Sequence, residues 1–418
     1  MKIENGFKEL GVSASVLNAL KILKIETPTP IQTKSIPVGL TGQDLIGVAQ
    51  TGTGKTFAFG IPMIERLSAS GGQGLVLLPT RELAVQVDEN LRQLGGRMGL
   101  RTVALIGGQG IGVQLNSLKR NPHIYIATPG RLIDHLQRGS VRLDQVKILV
   151  LDEADRMFDM GFAPQIEEII RRVPKKRQTM LFSATMPRPI LRLASVHMTM
   201  PIHIEVAPPG TTVEYVDQEV YVMRKEDKYH QLEKILHEYK GSVLVFTRTK
   251  HGAKNLARNL EQARFQVAEI HSNLSFNQRK ESMAGFKSRK YRILIATDIA
   301  ARGIDVSDIE LVVNYDLPDD SEDYVHRIGR TARAGKIGKA ISFATPDQGS
   351  DVRSIERLIN KKLTLKQFAE LEQAGTRPTF RRYGRTMSFG RSAGRRPAWW
   401  RSQKSATRPH NRPRLFRP

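Results

Sequence analysis

The sequence predicts an α/β protein, with two parallel-sheet domains in tandem and a basic, disordered C-terminal tail. Three observations carry that prediction. Short apolar runs rich in Val, Ile and Leu recur: LVLLPT (75–80), HIYIAT (123–128), ILVLDE (148–153), TMLFSAT (179–185), SVLVFT (242–247), RILIATD (292–298) and IELVVNYD (309–316). Helical periodicity lies between them, as in RELAVQVDENLRQL (81–94) and HGAKNLARNLEQA (251–263). Unbroken apolar strands alternating with amphipathic helices imply parallel sheets covered on both faces. The third observation is an internal echo. LVLLPTREL (75–83) resembles VLVFTRTKH (243–251), and IYIATPGR (124–131) resembles ILIATDIAAR (293–302).

At 418 residues the chain is long enough for two or three domains of ordinary size. Pro208, Pro209 and Gly210 interrupt the periodicity in EVAPPGTTVEY (205–215), which sets the expected break there. The expected divisions are a first domain over 1–206, a linker over 207–216, a second domain over 217–365 and a tail over 366–418. The tail is rich in Arg, Pro, Gly and Ser, which is the composition of a disordered segment.

Composition narrows the function. There is no cysteine, which excludes disulfides and thiolate metal sites and fits a reducing compartment. The start, MKIENGFKEL, has no apolar signal region, and no run approaches the ~18 apolar residues of a membrane span. A cytoplasmic protein without membrane contact is the expectation. The net charge is +24, from 65 Lys and Arg against 41 Asp and Glu, and points to a polyanionic partner. The charge is uneven: residues 377–418 hold 13 Lys and Arg and no acid.

Two stretches carry chemistry. AQTGTGKT (49–56) fits G-x-x-x-x-G-K-[ST] with Ala49 in place of the first glycine. In the loop Gln50, Thr51, Gly52, Thr53 and Gly54, the glycines let backbone N–H groups turn toward phosphate oxygens, and the following helix offers its positive end. Lys55 is expected on the β- and γ-phosphates and Thr56 on Mg2+. The competing reading is a glycine-rich turn with a solvated lysine. Further on, VKILVLDEADRMFDMGF (146–162) ends an apolar strand in Asp152, Glu153 and Asp155. Carboxylates that close repel one another and are costly to bury. An acidic helix start is the bland alternative. With a phosphate loop upstream, the expected cation is Mg2+ on ATP, held by Asp152, with Glu153 orienting or activating the attacking water.

With DEAD (152–155) joined to AQTGTGKT, the chain resembles the DEAD-box RNA helicases. PTPIQ (28–32), PTREL (79–83), GG (107–108), TPGR (128–131), SAT (183–185), ATDIAARGID (296–305) and HRIGRTAR (326–333) follow in that family's order. The resemblance spans roughly residues 5 to 360 and implies two RecA-like domains closing on ATP–Mg2+ and on RNA. It implies that Gln32 reads adenine, Phe7 stacks on it and Asp305 touches the ribose. It makes Arg330 and Arg333 arginine fingers on the γ-phosphate. It assigns coupling between the domains to Ser183, Thr185, His326 and Arg327, with Arg327 facing the acidic cluster. Arg327, Arg330 and Arg333 recur every third residue, which on a helix is a cationic stripe.

The same resemblance places RNA on Pro79, Thr80, Arg81, Gly107, Gly108, Thr128, Pro129 and Arg131 of the first domain, and on Arg279 and Thr297 of the second. Small residues, hydroxyls and arginines suit a phosphate backbone, and nothing in the set reads base edges. Single-stranded RNA and short duplexes are the expected partners of a core acting as a monomer. Three positions depart from the family pattern: Lys24 where glycine is usual, Phe276 where glutamine is frequent, and Ala332 where glycine is commoner. In the tail, arginines alternate with Phe380, Tyr383, Phe389, Trp399, Trp400 and Phe416, which together suit base stacking and phosphate attraction. An ATP-dependent RNA helicase is the resulting expectation. The alternatives are an ATP-gated RNA clamp or chaperone with incidental turnover, and a DNA translocase of the same superfamily.

Overall fold

Most strands form on the short apolar runs. In the computed structural model, which describes residues 6–50, 52–206, 216–298, 309–331 and 338–367, the first half holds seven of them. They are β1 (Leu45–Val48), β2 (Gln73–Leu77), β3 (Thr102–Leu105), β4 (Ile124–Ala127), β5 (Val146–Leu151), β6 (Gln178–Ser183) and β7 (Ile202–Glu205). The second half holds β8 (Val216–Val222), β9 (Val243–Phe246), β10 (Val267–Ile270), β11 (Ile293–Ala296), β12 (Leu311–Asn314), β13 (Gly338–Ala344) and β14 (Thr364–Gln367).

Each set makes one seven-stranded sheet in which every neighbouring pair is parallel. The first runs β3-β4-β2-β5-β6-β1-β7 and the second β10-β11-β9-β12-β13-β8-β14. These are the same order with every strand number raised by seven. The internal echo in the sequence falls on equivalent strands, β2 with β9 and β4 with β11. This is a tandem RecA-like arrangement.

Both faces of each sheet are covered, which explains the unbroken apolar runs. Along β5, Ile148 and Val150 join one core cluster while Leu149 and Leu151 join the other. Alternate side chains of a strand point to opposite faces, so a strand buried on both has no polar positions to spare. Each such side chain stabilises the fold by about 1.5–3 kcal/mol.

The strand order also sorts the motifs. Strands of a parallel sheet all end at one edge, where ligands collect. β5, β6 and β1 are neighbours, so their ends bring together Asp152, Ser183 and the 49–56 loop. β3, β4 and β2 fill the other half, so their ends bring together Gly107, Thr128 and Pro79. Among the described residues no helix is long and apolar enough to cross a membrane.

Lys24 ends the helix Ala14–Ile22 region with φ of +57°, and the Ile25 N–H closes back on the Leu20 carbonyl at 3.0 Å. That left-handed geometry explains why glycine suits the position, because a Cβ is strained there. Lys24→Gly is expected to stabilise the protein by roughly 0.5–1 kcal/mol. A thermal melt that does not rise would contradict this.

Candidate active site

Two glycines and a buried glutamine shape the described part of the phosphate loop. Gly52 and Gly54 have φ of 84° and 89°, and Gly54 caps the helix Lys55–Ser70. A side chain at Gly54 would collide with the amide of Gln32. Gln32 is buried and ties the loop in place: its Nε2 donates to the Gly54 carbonyl at 3.0 Å, and its Oε1 accepts from the Thr29 N–H at 2.9 Å. Thr29 Oγ1 donates to the Thr53 carbonyl at 2.7 Å, and Thr53 Oγ1 to that of Gln50 at 2.7 Å. Gln32 therefore fastens the phosphate loop to the start of the helix Pro30–Thr41. Ala49 extends β1 by donating to the Ser183 carbonyl at 3.0 Å. Thr51 lies outside the described residues, as do Asp305, Ala332, Arg333 and residues 368–418 of the expected tail, whose first two residues, Lys366 and Gln367, instead belong to β14.

Lys55 is only 6% exposed, and its ammonium has no hydrogen-bond partner. A buried cation with unmet donors is costly unless an anion completes it. A phosphate group does so, and Gly54 leaves the backbone approach open. Among the described residues no three His, Asp or Glu side chains converge as a metal cage. Mg2+ on a nucleotide needs only one or two carboxylates with phosphates and water. Asp152 and Thr56 are the residues that fit that role.

The acidic cluster is held in three different ways. Asp152, at the end of β5, accepts from the Glu153 N–H at 3.0 Å. Burial raises its pKa to about 6, against the pull of Lys55. Glu153 is a strained residue, with φ of 52° and ψ of 51°. Burial works against its charge too, but Arg156, Lys55 and Arg330 outweigh it and hold its carboxyl below the usual range. Arg156 forms a buried ion pair with Glu153. Asp155 accepts from the backbone N–H groups of Ala184 and Thr185 at 3.0 and 2.9 Å and from Thr185 Oγ1 at 3.1 Å. Its own N–H donates to Ser183 Oγ at 3.1 Å. Ser183 and Thr185 thus hold the acidic loop.

The raised pKa of Asp152 has a thermodynamic consequence. Between pH 4 and 6 the folded, ligand-free protein retains a proton that the unfolded chain releases, so this group removes stability as pH rises through that window. At pH 7 the loss is at most about 3 kcal/mol. Asp152→Asn is expected to melt higher than the parent at pH 7 without nucleotide, with the difference shrinking toward pH 4. A difference that is constant with pH would contradict it.

The second domain meets this cluster. His326 and Arg330 stand against it: His326 interacts electrostatically with Asp155, and Arg330 with Glu153. Burial, with Arg156 and Arg330 nearby, keeps the His326 imidazole below its ordinary pKa and neutral at pH 7. Lys55, Glu153, Asp155, Arg156, Thr185, Asp298, Asp320, Asp323 and His326 are among the residues lining one cleft of 840 Å3 between the two sheets.

Arg327 departs from expectation. It is 2% exposed and wholly engaged within its own domain. Its Nε and Nη2 donate to Asp298 at 2.6 and 2.7 Å, and its Nη1 to Asn314 Oδ1 at 3.1 Å and the Asp316 carbonyl at 2.6 Å. The guanidinium also lies 5.0 Å from the Phe246 ring centre. Four of its five N–H donors are held by Asp298, Asn314 and Asp316 of its own domain, so it is anchored there and not on the acidic cluster. The cationic stripe also fails: the helix stops at Ile328, and Arg330 sits in the turn beyond it, so the two arginines point to different partners.

Phe7, expected to stack on a base, is 3% exposed and belongs to the core beneath the first sheet. Its ring offers no open face in this structure.

A second groove, of 560 Å3, collects Pro79, Thr80, Arg81, Gly107, Gly108, Thr128, Arg131 and Arg279. Thr80 caps the helix Arg81–Gly95 by accepting from the Leu83 N–H at 3.3 Å, and Pro129 opens the helix Pro129–Gln137. The Arg81 guanidinium rests against Gly107 and Gly108. Arg131 Nη1 donates to the Gln109 carbonyl at 3.1 Å, so it braces the groove as well as lining it. Thr297 follows β11, beside Asp298, and does not line this groove. Arg279 lines the groove from the second domain, is 9% exposed and pairs with Glu82 of the first domain at 2.5 Å.

Sequence reasoning missed Arg156, Glu82 and Asp298. Arg156 had a signal, a cation one helical turn from Glu153. Glu82 and Asp298 lie in the motifs PTREL and ATDIAARGID, but nothing there points to their partners Arg279 and Arg327, which are far away or on other elements.

Residues 29–193 match the family model described as DEAD/DEAH box helicase, and residues 227–335 the helicase conserved C-terminal domain. Over 371 residues the chain is 44% identical to the DEAD-box ATP-dependent RNA helicase CshA of Geobacillus kaustophilus, covering 88% of this chain and 79% of that one. The Bacillus subtilis protein of the same name is 42% identical over 371 residues, covering 88% and 75%. Among solved structures, S. cerevisiae Dbp5 bound to RNA and ADP BeF3 superimposes with a TM-score of 0.76 at 29% identity, covering 88% of this chain and 97% of that one. Mss116p bound to ssRNA and AMP-PNP gives 0.80 at 28% identity, covering 88% and 80%. With a phosphate loop, an acidic strand end and two matching sheets already in place, this likeness is one of kind: the chain belongs to the DEAD-box family of ATP-dependent RNA helicases.

Proposed function

We infer that this helicase works as a two-lobe switch, in which ATP in the 840 Å3 cleft and RNA in the 560 Å3 groove each favour closure of the two domains. The observation that carries this reading is the mixed origin of the cleft. Lys55, Glu153, Asp155 and Arg156 line it from the first domain and Asp298, Asp323 and His326 from the second, and Arg330 of the second domain acts electrostatically on Glu153. A site divided in this way is complete only when the domains meet, so turnover and domain closure are one event.

Lys55 binds the phosphates and Thr56 and Asp152 hold Mg2+, which supplies charge neutralisation at the transferred phosphoryl group. Glu153, ionised and fixed by Arg156, accepts a hydrogen bond from the attacking water and orients it. Arg330 brings positive charge from the second domain to the region where negative charge develops, and Arg333 is assigned the same task. Ser183 and Thr185 grip Asp155, and His326 faces it, so movement of the second domain is felt at the acidic loop. Across the groove, Thr80, Thr128 and Arg81 contact phosphates and sugars and leave base edges unread. Binding is then independent of sequence, and bending of one strand on closure separates a short duplex locally. A core acting as a monomer in the cytoplasm completes the reading, in line with a cysteine-free chain.

The test is unwinding of a short RNA duplex measured beside RNA-stimulated ATPase, with a DNA strand as competitor. ATP-dependent strand separation with weak competition by DNA is expected. ATPase without strand separation would make the protein a clamp, and equal competition by DNA would make it a translocase of the wider superfamily.

The tail belongs to the same proposal as an RNA tether, on the strength of its 13 cations and interleaved aromatics. Deleting 377–418 is expected to weaken RNA binding and to flatten its dependence on salt, because fewer counterions are released. Saturated ATPase stays nearly unchanged. An unaltered salt slope would make the tail inert in binding.

A further inference from the structure

On the groove side, the two domains meet through the first turn of one helix. Phe276 and Arg279 are three residues apart in the helix Phe276–Lys287 and so share a face. Phe276 is half-buried and packs against the apolar core of the first domain. Its Cβ lies 3.6 Å from where a side chain on Gly108 would begin. Arg279 reaches Glu82 of the first domain at 2.5 Å, with side chains 10% and 14% exposed. An apolar contact and a nearly buried ion pair therefore bridge the domains at the rim of the groove. None of these residues lines the nucleotide cleft.

The choice of side chain matters. An amide resting on the Gly108 backbone holds only if polar partners meet it, and those partners can shift with the state of the site. A phenyl ring needs only that water be excluded. Opening the groove exposes the ring and separates two charges that are hardly hydrated, and breaking such a pair is costly. Both costs are the same whatever occupies the cleft.

We propose that Phe276, braced by the Arg279–Glu82 pair, is a positioning residue that latches the two domains on the groove side and sets the grip on RNA independently of the nucleotide. The proposal rests on the reading of the groove as the RNA site. It makes the RNA affinity of the parent protein weakly dependent on nucleotide, and makes that dependence grow when the ring is removed.

The experiment compares the full chain with its Phe276→Gln, Phe276→Ala and Phe276→Leu variants. Since the chain has no cysteine, Lys119→Cys and Lys254→Cys introduce one exposed label site in each domain for distance measurement by energy transfer. ATPase is titrated with a single-stranded RNA, and domain closure on that RNA is read with and without a non-hydrolysable ATP analogue. The Gln and Ala variants are expected to need roughly three- to tenfold more RNA for half-maximal ATPase, with kcat at saturating RNA within about twofold of the parent. Phe276→Leu restores most of the difference, and the open population grows most in the absence of nucleotide. An unchanged RNA requirement, or a parallel fall in kcat that leucine does not rescue, overturns the latch. A parent ATPase indifferent to RNA overturns the groove reading and the latch with it, and is recognised without any variant.

Discussion

Arg330→Ala is expected to lower RNA-stimulated ATP turnover by ~10³ or more, in line with the 10³–10⁵ that arginine fingers contribute in phosphoryl transfer. ATP affinity should change far less. The asymmetry follows from where the charge comes from. Lys55 belongs to the first domain, and under the proposed mechanism its contact with the phosphates does not require the second. Arg330 belongs to the second domain, and its positive charge already acts on Glu153 across the cleft. Its Nε is steadied by the His326 carbonyl at 3.3 Å, so its placement depends on the helix Ser321–Ile328. Removing it takes charge from the transition state while leaving the phosphate loop intact. Steady-state ATPase beside equilibrium binding of a fluorescent ATP analogue checks this. Equal loss of turnover and binding would show that Arg330 contributes to holding the nucleotide rather than to its cleavage.

Glu153→Gln is expected to reduce turnover by ~10²–10⁴ while RNA is still bound in the presence of ATP. The two neighbouring carboxylates are driven apart by their surroundings. Burial lifts Asp152 to about 6, whereas Arg156, Lys55 and Arg330 overcome burial at Glu153 and keep it ionised. Adjacent groups with such opposed environments have different tasks. Glutamine keeps the shape and an oxygen for Arg156 but loses the charge that orients water. The protein should then stall with ATP uncleaved and RNA held. The measurement is single-turnover hydrolysis beside RNA retention on a filter, with a melt to confirm folding. Turnover within tenfold of the parent would remove Glu153 from the handling of water.

The phosphate loop and the acidic strand end were legible in the sequence because their chemistry is local. Gly52, Gly54, Lys55 and Thr56 act through one turn and one helix start, and Asp152 through the end of one strand. Much of the strand pattern was equally open, since burial on both faces forces apolar residues at Ile148, Leu149, Val150 and Leu151 of β5, with Lys147 exposed near its start. Gln32 was legible as a residue of the site, though not as the side chain that fastens the loop from below.

Other readings needed the third dimension. His326, Arg327 and Arg330 sit within five residues, yet one faces Asp155, one is buried against Asp298, and one faces Glu153. Sequence spacing reads Arg327, Arg330 and Arg333 as a stripe because it assumes that the helix continues, and the helix ends at Ile328. Arg279 has the chemistry of a phosphate ligand, but Glu82 is nearer. Lys24 gives no sign of strain until its φ is known.

By itself the sequence determined an inventory: seven apolar runs that read as strands, a glycine-rich loop of the kind that accepts phosphate, three carboxylates in need of a cation, and arginines in excess. Only the tertiary structure decided which charge neutralises which. A charge removed from water is stabilised by whatever lies within a few ångströms, and that distance is set by the order of strands in a sheet and by the meeting of two domains, neither of which is written in the spacing of a motif.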